Sequence, residues 1–400
     1  MAINKNPVIV FGLSYTGIDI LKELRKMKIK CVGLDYREKI GFLLRKIKTY
    51  KCPNPHEKKN EWLNFLIKIY KRVYNGQKPV LLVSSDEFIL PVLNNSEFLK
   101  KYFLFNKPNN NITEKFLNKK SLHEIAKKTG IPVPKTFYID NKNDLNNIKN
   151  ISYPCIIKPQ FSKSWSAKRI EKIIGNKKVI KVHNKDELKS WINKLIIKGN
   201  NKLLVQEIIQ GPDSNALYFT SYHNKKHPCL GYFCGRKIRI YQIQFGVATY
   251  FKTEPSDPIK HQCLRLLQEN KYVGVAGIEM KLDERDGIYK LIEVNTRFSL
   301  IDVIGKRLGV NIYYITYLDI IDKSQRPKLP NFKKSYSWIA LLGEMKVIPK
   351  YYKEGLTTIR EWVSSLLGNV YFADIYLDEP RILMHIILNI FNKIFTFNSE

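Results

Sequence analysis

The chain has 400 residues, 44% hydrophobic and 12% aromatic, enough apolar material for two or three packed domains and too much for a disordered tail. Its 68 Lys and Arg against 36 Asp and Glu leave a formal charge of +32. The basic residues are spread along the chain rather than gathered in a patch, and no RNA-recognition or zinc-finger signature appears, which argues against a nucleic-acid partner. An anionic polymer or a membrane surface remains compatible with that charge, as does a plain compositional bias toward Lys, Asn and Ile. The six cysteines (Cys31, Cys52, Cys155, Cys229, Cys234, Cys263) form no C-x-x-C pair. Reduced thiols fit better than a disulfide framework or a zinc site. The start "MAINKNPVIVFG" runs directly into an apolar strand, so a cytoplasmic protein without a signal peptide is expected.

In chain order, Val8–Phe11, a turn flanked by Gly12 and Gly17, a helix carrying Ile18, Leu21 and Leu24, and a strand from Cys31 to Asp35 read as a βαβ unit. Its G-x-x-x-x-G spacing is looser than the dinucleotide fingerprint and lacks a P-loop Lys-Ser/Thr, so a tight turn is the preferred reading. A helix around Trp62–Tyr74 leads to the strand Pro79–Ser85. Asp86 and Glu87 follow at its C-terminal end, where open α/β sheets hold ligands. The polar stretch "NKPNNNITEK" marks a domain boundary, and the helix after it stops at Gly130 and Pro132.

Residues 151–300 alternate strands and helices. "YPCIIKPQ" places Lys158 near a strand end, and "KLLVQEIIQGPD" runs through Gln206 and Glu207 into a Gly-Pro turn. "GYFCGRKIRIYQIQFGVATYF" carries Arg236, Lys237 and Arg239, read as facing a cleft or as a solvated strand edge. "GVAGIEMKLDERDGIYKLIEVNTRF" reads as a hairpin turning at Asp286-Gly287. Alternation puts Leu291, Glu293, Asn295 and Arg297 on one face of its return strand and Ile292, Val294 and Thr296 on the other. Glu279 on the outgoing strand faces Glu293 and Asn295. Two carboxylates and an amide oxygen suit a hard cation such as Mg²⁺, while Lys158 and Arg297 suit the phosphates it carries. The tail ends in "EPRILMHIILNIFNKIF", broken by His385, Asn389, Asn392 and Lys393. It is too polar to span a bilayer and is expected to dock on its own domain, with a peripheral helix at the inner face of the membrane as the alternative.

The order Lys158, Glu207, Glu279, Glu293, Asn295, Arg297 resembles the ATP-grasp superfamily, and within it the carboxylate–amine ligases. The resemblance implies an α/β fold: a Rossmann-like domain over residues 1–110, a two-lobed ATP-grasp domain over 111–330 hinged near 206–212, and a mainly helical extension over 331–400. It implies ATP, and Mg²⁺ or Mn²⁺ as two ions on Glu279, Glu293 and Asn295. Lys158, Lys119 or Lys120, Gln206, Glu207, Ile208, Ile209 and Asp213 would hold the nucleotide. Glu207 would meet the adenine amino group and Asp213 the ribose. Arg297 would stabilise the transferring phosphoryl group, and Arg236, Lys237 and Arg239 would orient phosphate or the acidic substrate. The partners implied are a small-molecule carboxylate and an amine, with a homodimer as the suggested assembly. Departures from the family pattern are "QFSKSWSAKR" where many relatives have a glycine-rich lid, His123 where several have a lysine, and Asp213 for the more usual Glu. Ser162, Lys163 and Ser164 would supply the lid's donors. A polymeric acceptor and a non-catalytic ATP sensor are the competing readings.

Overall fold

The computed structural model describes residues 5–74, 77–106, 110–161, 165, 168–175, 177–197, 202–227, 229–323 and 326–397. The N-terminal part is a parallel sheet of β1 (Val8–Phe11), β2 (Cys31–Asp35), β3 (Lys48–Lys51) and β4 (Val80–Val83), ordered β3-β2-β1-β4. β1 and β2 are buried along their length because helices cover both faces, which is why they read as continuous apolar runs. The turn after β1 explains its two glycines. Gly12 has φ +97°, and a Cβ on Gly17 would stand 1.9 Å from the Gly12 carbonyl oxygen. Asp35 closes its strand end by accepting from the Leu13 and Arg37 amides at 2.9 and 3.0 Å. It is a turn residue.

A small antiparallel sheet follows, with β5 (Thr136–Ile139), β6 (Cys155–Pro159), β7 (Ile180–Val182) and β8 (Leu203–Glu207) in the order β5-β8-β6-β7. Its apolar cluster, including Ile157, Trp165, Ile192 and Val205, is separate from the others. The large sheet holds β9 (Ala216–His223), β10 (Gly231–Tyr241), β11 (Val247–Thr253), β12 (Gly274–Asp283), β13 (Ile288–Asn295), β14 (Ser337–Ile339) and β15 (Val370–Phe372). Their order is β13-β12-β9-β10-β11-β14-β15. The last two strands come from the tail expected to be mainly helical. Its helices Leu341–Lys353, Ile359–Ser365 and Pro380–Phe397 are present, but the segment also lengthens the large sheet.

The tail docks back on the N-terminal part. Tyr376 and Tyr371 hydroxyls donate to Asp19 at 3.0 and 3.3 Å, the Arg45 amide donates to Glu379 at 3.0 Å, and Lys22 pairs with Asp378. Ile382 and Ile386 join a core shared with Val8, Val10, Phe233 and Trp338. No helix among the described residues is long and apolar enough to cross a membrane.

Two register shifts decide which side chains reach the cleft. Between β12 and β13 the pairs Glu279↔Glu293 and Met280↔Leu291 leave Ile292 as an extra residue. Leu291 therefore faces the core with Met280 and Val294, not the side of Glu293 and Asn295 that strict alternation predicts. Ile292 takes its place at the cleft. In β10, Lys237 pairs with Phe251 but Arg239 with Tyr250, so Ile238 is the extra residue and Arg239 turns away from the side of Lys237.

Candidate active site

A cavity of about 700 Å³ lies between the small and large sheets. From the small-sheet side come Lys158 at the end of β6, Gln206, Glu207, Ile208, Ile209 and Lys178; Lys119 arrives on the helix Lys119–Lys128. From the large sheet come Glu279, Lys281, Glu293, Asn295 and Arg297, and from the N-terminal part Asp86. The cross-strand partners Glu279 and Glu293 sit side by side. Asn295 Nδ2 donates to Glu293 Oε1 at 3.1 Å, which leaves its Oδ1 for a cation. Lys237 Nζ donates to Glu279 Oε2.

The electrostatics are those of an anion site. Burial, helped by the neighbouring Lys119 charge, lowers Lys158 to about 7 against the weaker opposing pull of Glu293 and Glu279. Burial likewise lowers Lys119. Burial alone would raise Glu293, but the charges of Lys178, Lys119 and Lys237 and the Asn295 amide together hold it well below the usual carboxylate range. Arg297 Nε and Nη2 clasp the two oxygens of Asp86 at 2.7 and 3.0 Å. Among the described residues no three His, Cys, Asp or Glu side chains converge as a metal cluster. Two carboxylates and one amide oxygen nevertheless fit Mg²⁺, which keeps several waters and takes its other ligands from phosphates.

The structure separates other residues from this group. Arg239 is buried on the far side of β10, with Nε on Glu344 Oε2 and Nη2 on Ser365 Oγ, each at 2.7 Å, and its guanidinium over the Tyr250 ring. Lys120 turns outward to Asp140 at 3.2 Å, whereas Lys119 lies inward. Arg236 binds Glu254 and the Ser214 carbonyl. Asp213 lines the cavity but already accepts from the Gln244 amide and the Tyr351 hydroxyl, and burial raises it. The Glu207 carboxylate accepts from the Lys135 amide and from Arg285 at 2.9 Å each. His123 is buried, with Nδ1 2.9 Å from the Tyr138 hydroxyl. Glu87 binds Tyr36 and Arg37. Ser162, Lys163 and Ser164 lie outside the described residues.

Lys281 and Lys178 are among the cavity residues that the sequence did not single out. Lys281 stands two places from Glu279, and the alternation that singles out Glu279 also brings it to the cleft, where its Nζ holds the Gly211 carbonyl at 2.9 Å. Lys178 follows a polar turn and carries no such signal.

No family model matches the chain. A D-aspartate ligase of Enterococcus faecium is 23% identical over 245 residues, which is 59% of this chain and 58% of that protein. The chain thus matches little more than half the length of that curated relative. Among solved structures, an L-amino acid ligase from Bacillus licheniformis superposes with a TM-score of 0.59 at 16% identity, over 79% of this chain and 74% of that one. The biotin carboxylase domain dimer of Hydrogenobacter thermophilus 2-oxoglutarate carboxylase, solved with Mg-ADP, ADP and bicarbonate, gives 0.63 at 15%, over 84% of this chain and 74% of that one.

The chain has the ATP-grasp fold. In ATP-grasp terms the small and large sheets are the two lobes, and the cavity lies in the cleft between them.

Proposed function

We propose that the protein is an ATP-dependent, ADP-forming ligase that joins a small-molecule carboxylate to an amine. One observation carries this reading: Glu279 and Glu293 in register, with Asn295 beside them, in a two-lobed cavity that also holds Lys158, Lys119 and Arg297. The fold and the likeness to a D-aspartate ligase support it.

Lys158 and Lys119 bind phosphate oxygens of ATP from the small lobe, and Gln206 to Ile209 flank the base. Glu279, Glu293 and Asn295 would hold Mg²⁺, as two ions, which would supply charge neutralisation for the phosphates of ATP. A carboxylate oxygen of the substrate attacks the γ-phosphorus and the bond to the ADP oxygen breaks. Arg297, oriented by Asp86, stabilises the charge on the transferring group. The amine then attacks the acyl carbon of the acyl phosphate, phosphate leaves with the bonding pair, and the amine nitrogen loses a proton. Closure of the two lobes excludes water from the acyl phosphate.

The test is ADP release by the purified protein with ATP and Mg²⁺, against pools of amino acids and small carboxylates, with and without amines. Release that requires both supports the ligase. ATP binding without release under any pool favours a sensor instead.

A further inference from the structure

We infer that a second pocket, behind Arg297, receives the side chain of the substrate acid and selects a compact, uncharged one; this rests on the ligase reading. The pocket measures about 100 Å³ and lies where β4 and the helix Asp86–Asn94 meet the large sheet. Its walls are mostly apolar, Leu81, Ile89, Val92, Val275 and Phe298 among them. Arg297 lines this pocket and the nucleotide cavity alike. The guanidinium thus stands between the two, and the inference sets the acid's carboxylate beside the phosphates with its body on the far side of Arg297.

Three orphaned hydroxyls point to an occupant. Thr113, Thr296 and Thr316 all line the pocket, and the Oγ1 of each is buried with no hydrogen-bond partner. They come from three separate places: the helix Asn110–Leu117, the residue after β13, and the helix Ile312–Ile320. Buried polar atoms normally find partners, and three unsatisfied ones in the walls of a single pocket can be relieved together by one hydrogen-bonding group once their side chains turn toward it.

Size and charge narrow the group. An apolar cavity of ~150 Å³ takes up benzene, so this one suits about four heavy atoms. Among the described residues that line it, Arg297 is the one charged group, and Asp86 already clasps it. An ammonium carried into the pocket would be buried beside that guanidinium, and a carboxylate would have to compete with Asp86 and the phosphates for it. The side chain that fits is methyl, hydroxymethyl, hydroxyethyl or isopropyl.

Hydroxylamine reads the acid alone, because it attacks the acyl phosphate, expels phosphate and leaves a measurable hydroxamate. With ATP and Mg²⁺, the D and L forms of alanine, serine, threonine and valine are compared with those of aspartate, glutamate and phenylalanine. One or more of the first four is expected to exceed all of the last three at least about tenfold in kcat/KM. Thr316→Val removes one hydroxyl at constant size and should lower the threonine-over-valine ratio by about tenfold, with the Kd for ATP unchanged. Thr113→Leu fills the void and should lose valine and threonine before alanine. Aspartate or phenylalanine serving equally well, or ratios unmoved in both variants because the pocket holds only water, overturns the inference.

If no acid yields ADP or hydroxamate, the ligase reading fails by itself. Calorimetry with the same amino acids and a non-hydrolysable ATP analogue then judges the pocket. Binding of the small uncharged members that Thr113→Leu abolishes upholds it, and absence of binding removes it.

Discussion

Lys237 and Arg239 stand two residues apart on β10, yet they belong to opposite kinds of site. Arg239 is closed on itself: a buried carboxylate, a serine hydroxyl and a tyrosine ring surround its guanidinium. Lys237 lies behind the cavity wall, its ammonium on Glu279, a lining carboxylate that the ligase reading assigns to a metal. The Arg239 side spends its charge internally, as a fixed strut does. In the cleft, cations crowd until burial and mutual repulsion bring Lys158 to about 7. What separates the two is where the answering carboxylate lies: Glu344 is sealed inside the fold, whereas Glu279 lines the cavity.

The strongest way to break that comparison is Arg239→Ala. It leaves Glu344 buried and unanswered, so a loss of about 3–5 kcal/mol in denaturant unfolding is expected, with ATP affinity retained. Lost turnover at unchanged stability would instead move Arg239 into the catalytic group. Glu293→Gln should act chiefly on turnover, with ADP release lowered about 10²–10³-fold in a steady-state assay, and should cost some stability as well because its carboxylate answers Lys178, Lys119 and Lys237.

The pH dependence sharpens the contrast. Lys158 is depressed, so between pH 7 and the ordinary lysine value the unfolded chain holds a proton that the folded chain has lost. Stability of the ATP-free protein should therefore rise with pH in that window, by up to about 1.4 kcal/mol per unit from this group. ATP affinity should run the other way, flat below pH 7 and weakening by up to about tenfold per unit above it, because the phosphates need the ammonium. Calorimetry in two buffers of different ionisation enthalpy should show proton uptake on binding near pH 8.

Asp86→Asn weakens the clasp on Arg297 while preserving its shape. A fall of about tenfold in kcat with a smaller change in the KM for ATP is expected from steady-state kinetics. The smallest effect belongs to Lys120→Ala. Its pair with Asp140 is part-exposed, so stability should move by less than about 1 kcal/mol and ATP affinity not at all.

The sequence exposed the cleft because polar residues at alternate places in apolar strands are costly unless a site uses them. Lys158, Glu279, Glu293 and Asn295 were legible for that reason. The choice between Lys119 and Lys120 stayed open in the sequence, and the structure decides it: Lys119, Leu122 and Ala126 share one buried stripe of their helix. The bulges were not legible. An extra residue such as Ile238 or Ile292 is a matter of pairing between strands, and hydrophobic period carries no trace of it until both partners are known. Arg297 and Asp86 lie 211 residues apart, so only the folded chain joins them. The strands β14 and β15 were hidden by their length: three residues each are too short to show alternation.

The tail has a mechanical consequence. By adding strands to the large sheet and tying itself to Asp19, Lys22 and the Arg45 amide, it rivets the first hundred residues and the large lobe into a single anvil. The small sheet, with an apolar cluster of its own, stands outside that joint. Cutting the tail would not trim an appendage; it would loosen the anvil on which Glu279, Glu293 and Asn295 are set.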